Sequence, residues 1–342
     1  MTEFSENEAA VLNHVQRTVP FVERPFELIG SELDISEEHV QEIISRLKKQ
    51  NVIRNIAGIF NGGSLGYTLN LVAMEISENN IEKTADIINS HPGVSHNYLR
   101  NHRYNIWFTL AEESNEMFNK AVRFIAEKTS AEDFLVLKNE KLLKLGVVLP
   151  IGDDDNGDSV AKESYSHAKP RDFSEEEKEA VRLFQHNIPI TTRPFRTLVE
   201  TNKSFLSEKR FLEIGESFKK EDIMRRYSAV LRHVNAGYTF NAMTTWKILD
   251  DTNIEKQTKP FINESAVSHL YIRTIYPGRW EYPLFAMLHA RSETELNNII
   301  TGLSEKSGFN DYQVLDTVRE LKKERVVYFS HKFNEWRDYY ND

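Results

Sequence analysis

The apolar positions fall into short blocks whose period changes along the chain. Residues 5–49 carry a helical period. Ser5 stands three residues before Glu8, a capping-box pattern, and Ala9, Leu12, Val15 and Gln16 follow at helical spacing. Pro20 and Pro25 interrupt the pattern, and a second helix is predicted through Phe26 and Ile29. Ser36 then caps a third helix whose Val40, Ile43, Ile44 and Leu47 share one face. Three short helices joined by tight turns predict a helix-turn-helix unit. Beyond it the period drops to two. Residues 52–60 and 69–76 read as strands, with a turn at Asn61-Gly62-Gly63. That turn lacks the Lys and the following helix of a phosphate loop, so it reads as a hairpin turn. Residues 81–90 form an amphipathic helix, and His91-Pro92-Gly93 turns the chain. Residues 94–100 and 105–111 form a hairpin, 117–128 a helix and 134–136 a short strand. The order β-α-β-β-α-β is the ferredoxin-like split motif.

The whole pattern then occurs a second time. Ser5-Glu6-Asn7-Glu8 corresponds to Ser174-Glu175-Glu176-Glu177, and Arg24-Pro25-Phe26 to Arg193-Pro194-Phe195, both offset by 169 residues. Arg54 falls on Arg225, and Gly66-Tyr67 on Gly237-Tyr238. Val94-Ser95-His96 falls on Val267-Ser268-His269, with Tyr98 and Arg100 on Tyr271 and Arg273. Tyr104 falls on Tyr282, Asp133 on Asp311 and Lys144 on Lys322. The offset grows in steps, as short loop insertions require. The predicted fold class is therefore α+β, a tandem repeat of a winged or helix-turn-helix domain plus a ferredoxin-like β-α-β-β-α-β domain. The predicted division is helix-turn-helix 1–50, ferredoxin-like domain 51–149, polar linker 150–173, second helix-turn-helix 174–221, second ferredoxin-like domain 222–329 and C-terminal tail 330–342. Residues 204–220 of the second unit are mixed in charge and only weakly periodic.

Composition narrows the chemistry. The 342-residue chain has no cysteine, which removes disulfides, thiolate metal sites and thiol nucleophiles. No long apolar run or signal-like N-terminus is present, so a cytoplasmic protein with no membrane span is expected. The net charge is −9, the wrong sign for a protein that grips DNA phosphates.

Several strings narrow the reading to a family. The helix-turn-helix followed by β-α-β-β-α-β resembles the Lrp/AsnC regulators. Val94-Ser95-His96-Asn97-Tyr98-Leu99-Arg100 and Tyr104-Asn105-Ile106-Trp107-Phe108 resemble the first subunit type of the siroheme decarboxylases. Met224-Arg225-Arg226-Tyr227, Leu231-Arg232-His233, Ala236-Gly237-Tyr238, Asn241-Ala242-Met243 and Leu284-Phe285-Ala286-Met287-Leu288-His289 resemble the second. The resemblance covers nearly the whole chain. It implies an enzyme that removes the C12 and C18 acetate carboxyl groups of siroheme, giving 12,18-didecarboxysiroheme for an alternative haem or haem d1 route. It also implies no separate organic cofactor, the iron belonging to the substrate, and two fused subunits forming an intrachain pseudo-heterodimer, with a homodimer as a further option.

The residues suit that chemistry. A polycarboxylate macrocycle needs cations at its rim and flat walls for its ring. The first half offers Arg54, Arg100, His102, Arg103 and Lys144, with Tyr67, Tyr98, Tyr104 and Trp107. The second offers Arg225, Arg226, Arg232, His233, Arg273 and Lys322, with Tyr238, Tyr271, Trp280 and Tyr282. Loss of carbon dioxide from an acetate arm leaves an electron pair that must be protonated, and imidazole titrates in the right range. His96 and His269 are thus the candidate proton donors, with Tyr98 and Tyr271 beside them; either histidine is equally suited to be an axial ligand of the substrate iron. Period two places His96, Tyr98 and Arg100 on one strand face, and likewise His269, Tyr271 and Arg273. Trp107 reads as core. Two other functions compete: a DNA-binding regulator of the Lrp/AsnC type and a tetrapyrrole sensor without turnover. The candidate recognition helix begins Ser36-Glu37-Glu38, where carboxylates would meet phosphates, so no specific DNA partner is expected.

Overall fold

The computed structural model describes residues 4–145, 171–231, 240–248 and 253–341. Arg232, His233, Tyr238 and all but the last three residues of the expected linker lie outside the described residues. The first half opens with α1 (Glu6–Arg17), α2 (Pro25–Glu32) and α3 (Glu37–Lys49). Ser5 and Glu8 form the reciprocal capping box, Pro25 occupies the first turn of α2, and Ser36 caps α3 by accepting the His39 N–H. The predicted face of α3, Val40, Ile43, Ile44 and Leu47, is fully buried. Then come β1 (Ile53–Phe60), β2 (Thr68–Glu75), α4 (Ile81–Ser90), β3 (Val94–Arg100), β4 (Ile106–Glu112), α5 (Asn115–Thr129), β5 (Asp133–Leu137) and β6 (Asn139–Leu145).

The second half repeats the order with α6 (Glu175–Phe184), α7 (Pro194–Thr201), α8 (Glu208–Lys220), β7 (Met224–Leu231), β8 (Phe240–Trp246), α9 (Ile254–Asn263), β9 (Val267–Arg273), β10 (Leu284–Ala290), α10 (Glu293–Ser307), β11 (Tyr312–Leu315) and β12 (Thr317–Lys323). Helix α8 is more regular than its sequence suggested. Ser207 caps it, and Phe211, Ile214 and Phe218 are buried. Its apolar stripe is broken in sequence by Gly215, which is small because a Cβ there would sit 2.7 Å from Phe184 and 2.9 Å from Phe21.

The halves are interlocked rather than laid side by side. Strand β1 pairs antiparallel with β7, so both helix-turn-helix units share one two-stranded sheet and one core. The exchange is symmetric: the Val19 N–H donates to the Tyr227 carbonyl at 2.7 Å, and the Ile188 N–H to the Ile56 carbonyl at 2.9 Å. The five-stranded sheets run β12-β3-β4-β2-β5 and β11-β8-β10-β9-β6. Each ferredoxin-like sheet thus takes its fifth strand from the other half. Sequence order assigned β6 and β12 to their own domains; pairing assigns each to the opposite one. The physical reason is the open edge of the hairpin, where β3 or β9 would otherwise present unpaired backbone groups. Only Lys138 separates β5 from β6, and only Asp316 separates β11 from β12, so the chain crosses in one step.

The outer face of each sheet packs on its own pair of helices. The inner faces meet in a shared cluster that joins Leu71, Trp107 and Leu137 of one sheet to Trp280, Phe285 and Leu315 of the other half. The segment read as a tail forms α11 (Lys332–Asn341). Phe333 enters the helix-turn-helix core and Trp336 the first helix–sheet core. Arg337 reaches buried Glu112 at 2.9 Å, and Glu112 meets buried His91 at 3.0 Å. Among the described residues no helix is long and apolar enough to cross a membrane.

Candidate active site

Strand pairing decides which side chains reach the space between the sheets. His96 lies opposite Thr109, and Tyr98 opposite Trp107. Since Trp107 belongs to the inner cluster and Phe108 to the outer one, His96 and Tyr98 point inward with it. In the second half His269 lies opposite Met287 and Tyr271 opposite Phe285, again on the inner face. The expected alternation therefore holds, and it brings both repeated segments to the seam between the two five-stranded sheets.

The two segments have the same local geometry. The rings of His96 and Tyr98 stack at 6.2 Å, and those of His269 and Tyr271 at 6.3 Å. Arg100 lies over Tyr98 at 5.1 Å and Arg273 over Tyr271 at 4.7 Å. Ser95 Oγ is 3.0 Å from His96 Nδ1, and Ser268 Oγ is 2.8 Å from His269 Nδ1. The serines were visible in the repeat as the residues before each histidine, but adjacent strand residues point to opposite faces in a regular strand. The contact arises beside register shifts in β3 and between Met287 and Leu288 of β10, where the pleat is broken.

The electrostatics differ between the halves. Burial lowers the His96 pKa, and Lys323 and Arg54 lower it further against an opposing pull from Glu320. His269 is lowered to about 4, by burial first and then by His289, His96 and Arg273. His96 thus opposes the protonation of His269 across the pseudo-twofold. Tyr98 is raised to about 12 by burial and by Glu320, so it stays a neutral phenol. Strand exchange creates part of the contrast. Crossing strand β12 sets Lys323 opposite His96 and Glu320 opposite Tyr98, whereas β6 sets Leu142 opposite Tyr271.

The remaining candidates separate into groups. Arg54 and Arg226 both act on the charge of Arg325, a residue the sequence reading did not single out; its pKa is lowered by desolvation and then by these two neighbours. None of the ion pairs among the described residues engages Arg54, Arg226 or Arg325. Arg225, next to Arg226 in β7, is half-buried. Arg100 and Arg273 are committed differently. The Arg100 guanidinium donates to the Leu315 carbonyl at 2.6 Å and to Thr317 Oγ1 at 3.2 Å, and Arg273 donates to the Leu137 carbonyl at 2.9 Å. Lys144 donates to the Glu264 carbonyl at 2.7 Å, and Lys322 to the Asn89 carbonyl at 2.7 Å, each at a helix C-terminus. All four were read as substrate cations; the structure engages each in holding a crossing strand. Arg103 pairs with Glu75 at 2.8 Å on the surface. His102 Nδ1 accepts the Tyr104 N–H at 3.0 Å and sits edge-on to Trp280 at 5.5 Å, within the seam. Tyr67 is away from the seam, buried in the helix-turn-helix core, where its hydroxyl accepts the Phe329 N–H. Trp107 is core, 1% exposed. A surface cavity of about 480 Å³ lined by Glu264, Ser292 and Lys306 lies by α9 and α10, beyond the outer face of the second sheet.

The comparisons with known proteins agree with this architecture. Residues 64–144 and 235–322 match the AsnC-like ligand binding domain, and residues 8–54 match the siroheme decarboxylase NirDL-like HTH domain. A siroheme decarboxylase of Hydrogenobacter thermophilus is 35% identical over 328 residues, 95% of this chain and 96% of that protein. The chain belongs to the siroheme decarboxylase family. A siroheme decarboxylase beta subunit of Oleidesulfovibrio alaskensis is 32% identical over 46% of this chain and 98% of its own length. One such subunit thus matches about half of this chain, as the internal repeat requires. The crystal structure of the siroheme decarboxylase NirDL in complex with an iron-uroporphyrin III analogue is 30% identical, covers 97% of both chains and superposes with a TM-score of 0.78.

Proposed function

We propose that the chain decarboxylates siroheme, replacing the carboxyl groups of its C12 and C18 acetate arms by hydrogen to give 12,18-didecarboxysiroheme. The observation that carries the reading is the pair of His-Tyr stacks on facing inner sheet surfaces, in a chain of this family over nearly its full length.

At each arm the bond between the methylene and the carboxylate carbon breaks, and carbon dioxide leaves. The electron pair stays on the methylene, where the conjugated macrocycle delocalises it, so the reading needs no separate organic cofactor. One proton then closes the methyl group, and His96 and His269 are the groups proposed to deliver it. Burial and positive neighbours keep both imidazoles neutral in the free chain. A bound polyanion reverses that balance, since nearby carboxylates favour the imidazolium. Protonation is thereby tied to substrate occupancy. Tyr98 and Tyr271 are proposed to support the histidine rings and to hydrogen-bond the reacting arm, Tyr98 as a neutral phenol. Arg54, Arg226 and Arg325 are proposed to receive rim carboxylates, because clustered guanidinium groups lower their mutual repulsion by binding an anion; for Arg225 the same role rests on the sequence resemblance. For Arg232 and His233 the proposal rests on the sequence resemblance. Axial ligation of the substrate iron by His96 or His269 is compatible with the same neutral imidazoles.

The chain carries out both decarboxylations as an intrachain pseudo-heterodimer under this reading. Anaerobic incubation with siroheme under reducing conditions, followed by mass analysis of the tetrapyrrole, tests it. Stepwise loss of two carbon dioxide units is expected. Tight binding with unchanged siroheme mass would establish a sensor instead.

A further inference from the structure

The halves differ in what stands behind the repeated histidine. Behind His96 there are two hydroxyls. Ser95 Oγ is 2.6 Å from Thr109 Oγ1, and the latter accepts the His96 backbone N–H at 3.2 Å. Hydroxyl hydrogens rotate, so this pair accepts either tautomer of His96. Behind His269 the chain of contacts is longer and has a direction. Ser268 Oγ lies 2.7 Å from His289 Nε2, and His289 Nδ1 meets Asn241 Oδ1. In the first half, Ala111 and Leu69 are paired in the register that His289 and Asn241 occupy in the second. No counterpart of this chain exists there.

The direction follows from hydrogen counting. An amide oxygen only accepts, so His289 carries its hydrogen on Nδ1. When that ring is neutral it presents a lone pair at Nε2, and the Ser268 hydroxyl donates to it. The Met287 carbonyl is a distant acceptor at 3.4 Å. Donation to His269 Nδ1, 2.8 Å away, would leave the Ser268 oxygen facing the His289 Nε2 lone pair at 2.7 Å with no hydrogen between them, so the single hydrogen of Ser268 is spent on His289. Ser268 Oγ therefore accepts from His269, and His269 Nδ1 must donate.

We propose that His289, anchored by Asn241 and acting through Ser268, is a positioning residue that fixes His269 as its Nδ1–H tautomer, with a bare Nε2 on the inner face. His96 is not fixed in this way. The role of that Nε2 rests on the decarboxylase reading, in which it takes up and releases the transferred proton; the tautomer does not. The second-half site is thus set for one protonation geometry, while the first keeps a rotatable one. Equivalent positions in the repeat perform unequal work.

Nitrogen-15 NMR of the full chain with labelled histidine tests the tautomer without turnover, at about pH 8 where imidazole is neutral. The His269 signals are those lost in His269→Gln. A pyrrole-type Nδ1 and a pyridine-type Nε2 are expected. In His289→Ala the two forms should mix, and in His289→Gln, whose amide oxygen accepts from Ser268, the single form should return. A pyridine-type Nδ1 in the native chain, or an unchanged spectrum in His289→Ala, overturns the proposal. In turnover, His289→Ala should lower kcat about tenfold with KM unchanged, as loss of an orienting partner does, and His289→Gln should recover most of it. A loss confined to KM, or none, also overturns it. Native chain that leaves siroheme unchanged would defeat the decarboxylase reading and leave the NMR result standing.

Discussion

Arg273 reaches across the pseudo-twofold to donate to the Leu137 carbonyl at 2.9 Å, and Arg100 makes the mirror contact with the Leu315 carbonyl at 2.6 Å. Leu137 and Leu315 are the last residues before the chain crosses to the other sheet. Burial lowers both arginine pKa values to about 10, yet both remain charged at neutral pH. Arg100→Ala or Arg273→Ala should therefore destabilise the fold by about 1.5–3 kcal/mol per charged hydrogen bond lost. Urea unfolding measures this. Native stability with an increased KM alone would return these arginines to the substrate rim.

His96→Ala and His269→Ala should each lower decarboxylation about 10²–10⁴-fold, the usual cost of removing a positioned acid or base. The intermediates should differ between the two, because Lys323 and Glu320 surround His96 while His289 backs His269. Mass analysis of the accumulating tetrapyrrole reads the difference. Native rates in both variants would make the histidines structural.

Arg325→Ala should weaken siroheme binding more than it lowers kcat, since of the cationic cluster Arg325, Arg54 and Arg226 only Arg54 acts on the charge of His96. One charged hydrogen bond is worth about 1.5–3 kcal/mol, or roughly 10- to 150-fold in affinity. The salt dependence of binding should fall with it. Unchanged affinity at low salt would exclude Arg325 from the site.

Acid should loosen the packing of α11. Burial lowers the His91 pKa below its ordinary 6.5. Glu112 is also lowered below 4.5: burial raises it, but hydrogen bonds and charge from His91 and Arg337 outweigh that. Both folded-state values are depressed, so both groups contribute stability above their unfolded values and lose it as pH falls. The decline should begin below about pH 6.5 with His91 and deepen below 4.5 with Glu112. Urea midpoints across that range test it, and Glu112→Gln should give a flatter slope. An identical slope would show that the network does not link folding to protons.

No specific operator should be bound at physiological salt. Arg24 pairs with Glu37 at the start of α3, and Arg193 pairs with Glu208 at the start of α8, so both candidate recognition helices open on ion-paired carboxylates. A footprint at a defined sequence with nanomolar affinity would contradict this.

The repeat, its element order and its capping signals were legible in the sequence because they are local. Ser5 with Glu8, Pro25 and Ser36 act within one turn of backbone, and the period-two faces of β3 and β9 follow from strand geometry alone. The same logic placed His96, Tyr98 and Arg100 together, and Trp107 in the core. What local pattern could not carry was partnership. Strands β6 and β12 have the same alternation whichever sheet they join, and only the open edges of β9 and β3 direct them to the opposite half. That choice gave Lys144, Lys322, Arg100 and Arg273, expected as substrate cations, backbone partners at the crossing. It also set Lys323 beside His96, while the β1–β7 pairing put Arg54 and Arg226 in one sheet near Arg325. A side chain's type is written at its own position, but its charge state and duty depend on neighbours that only the folded chain supplies.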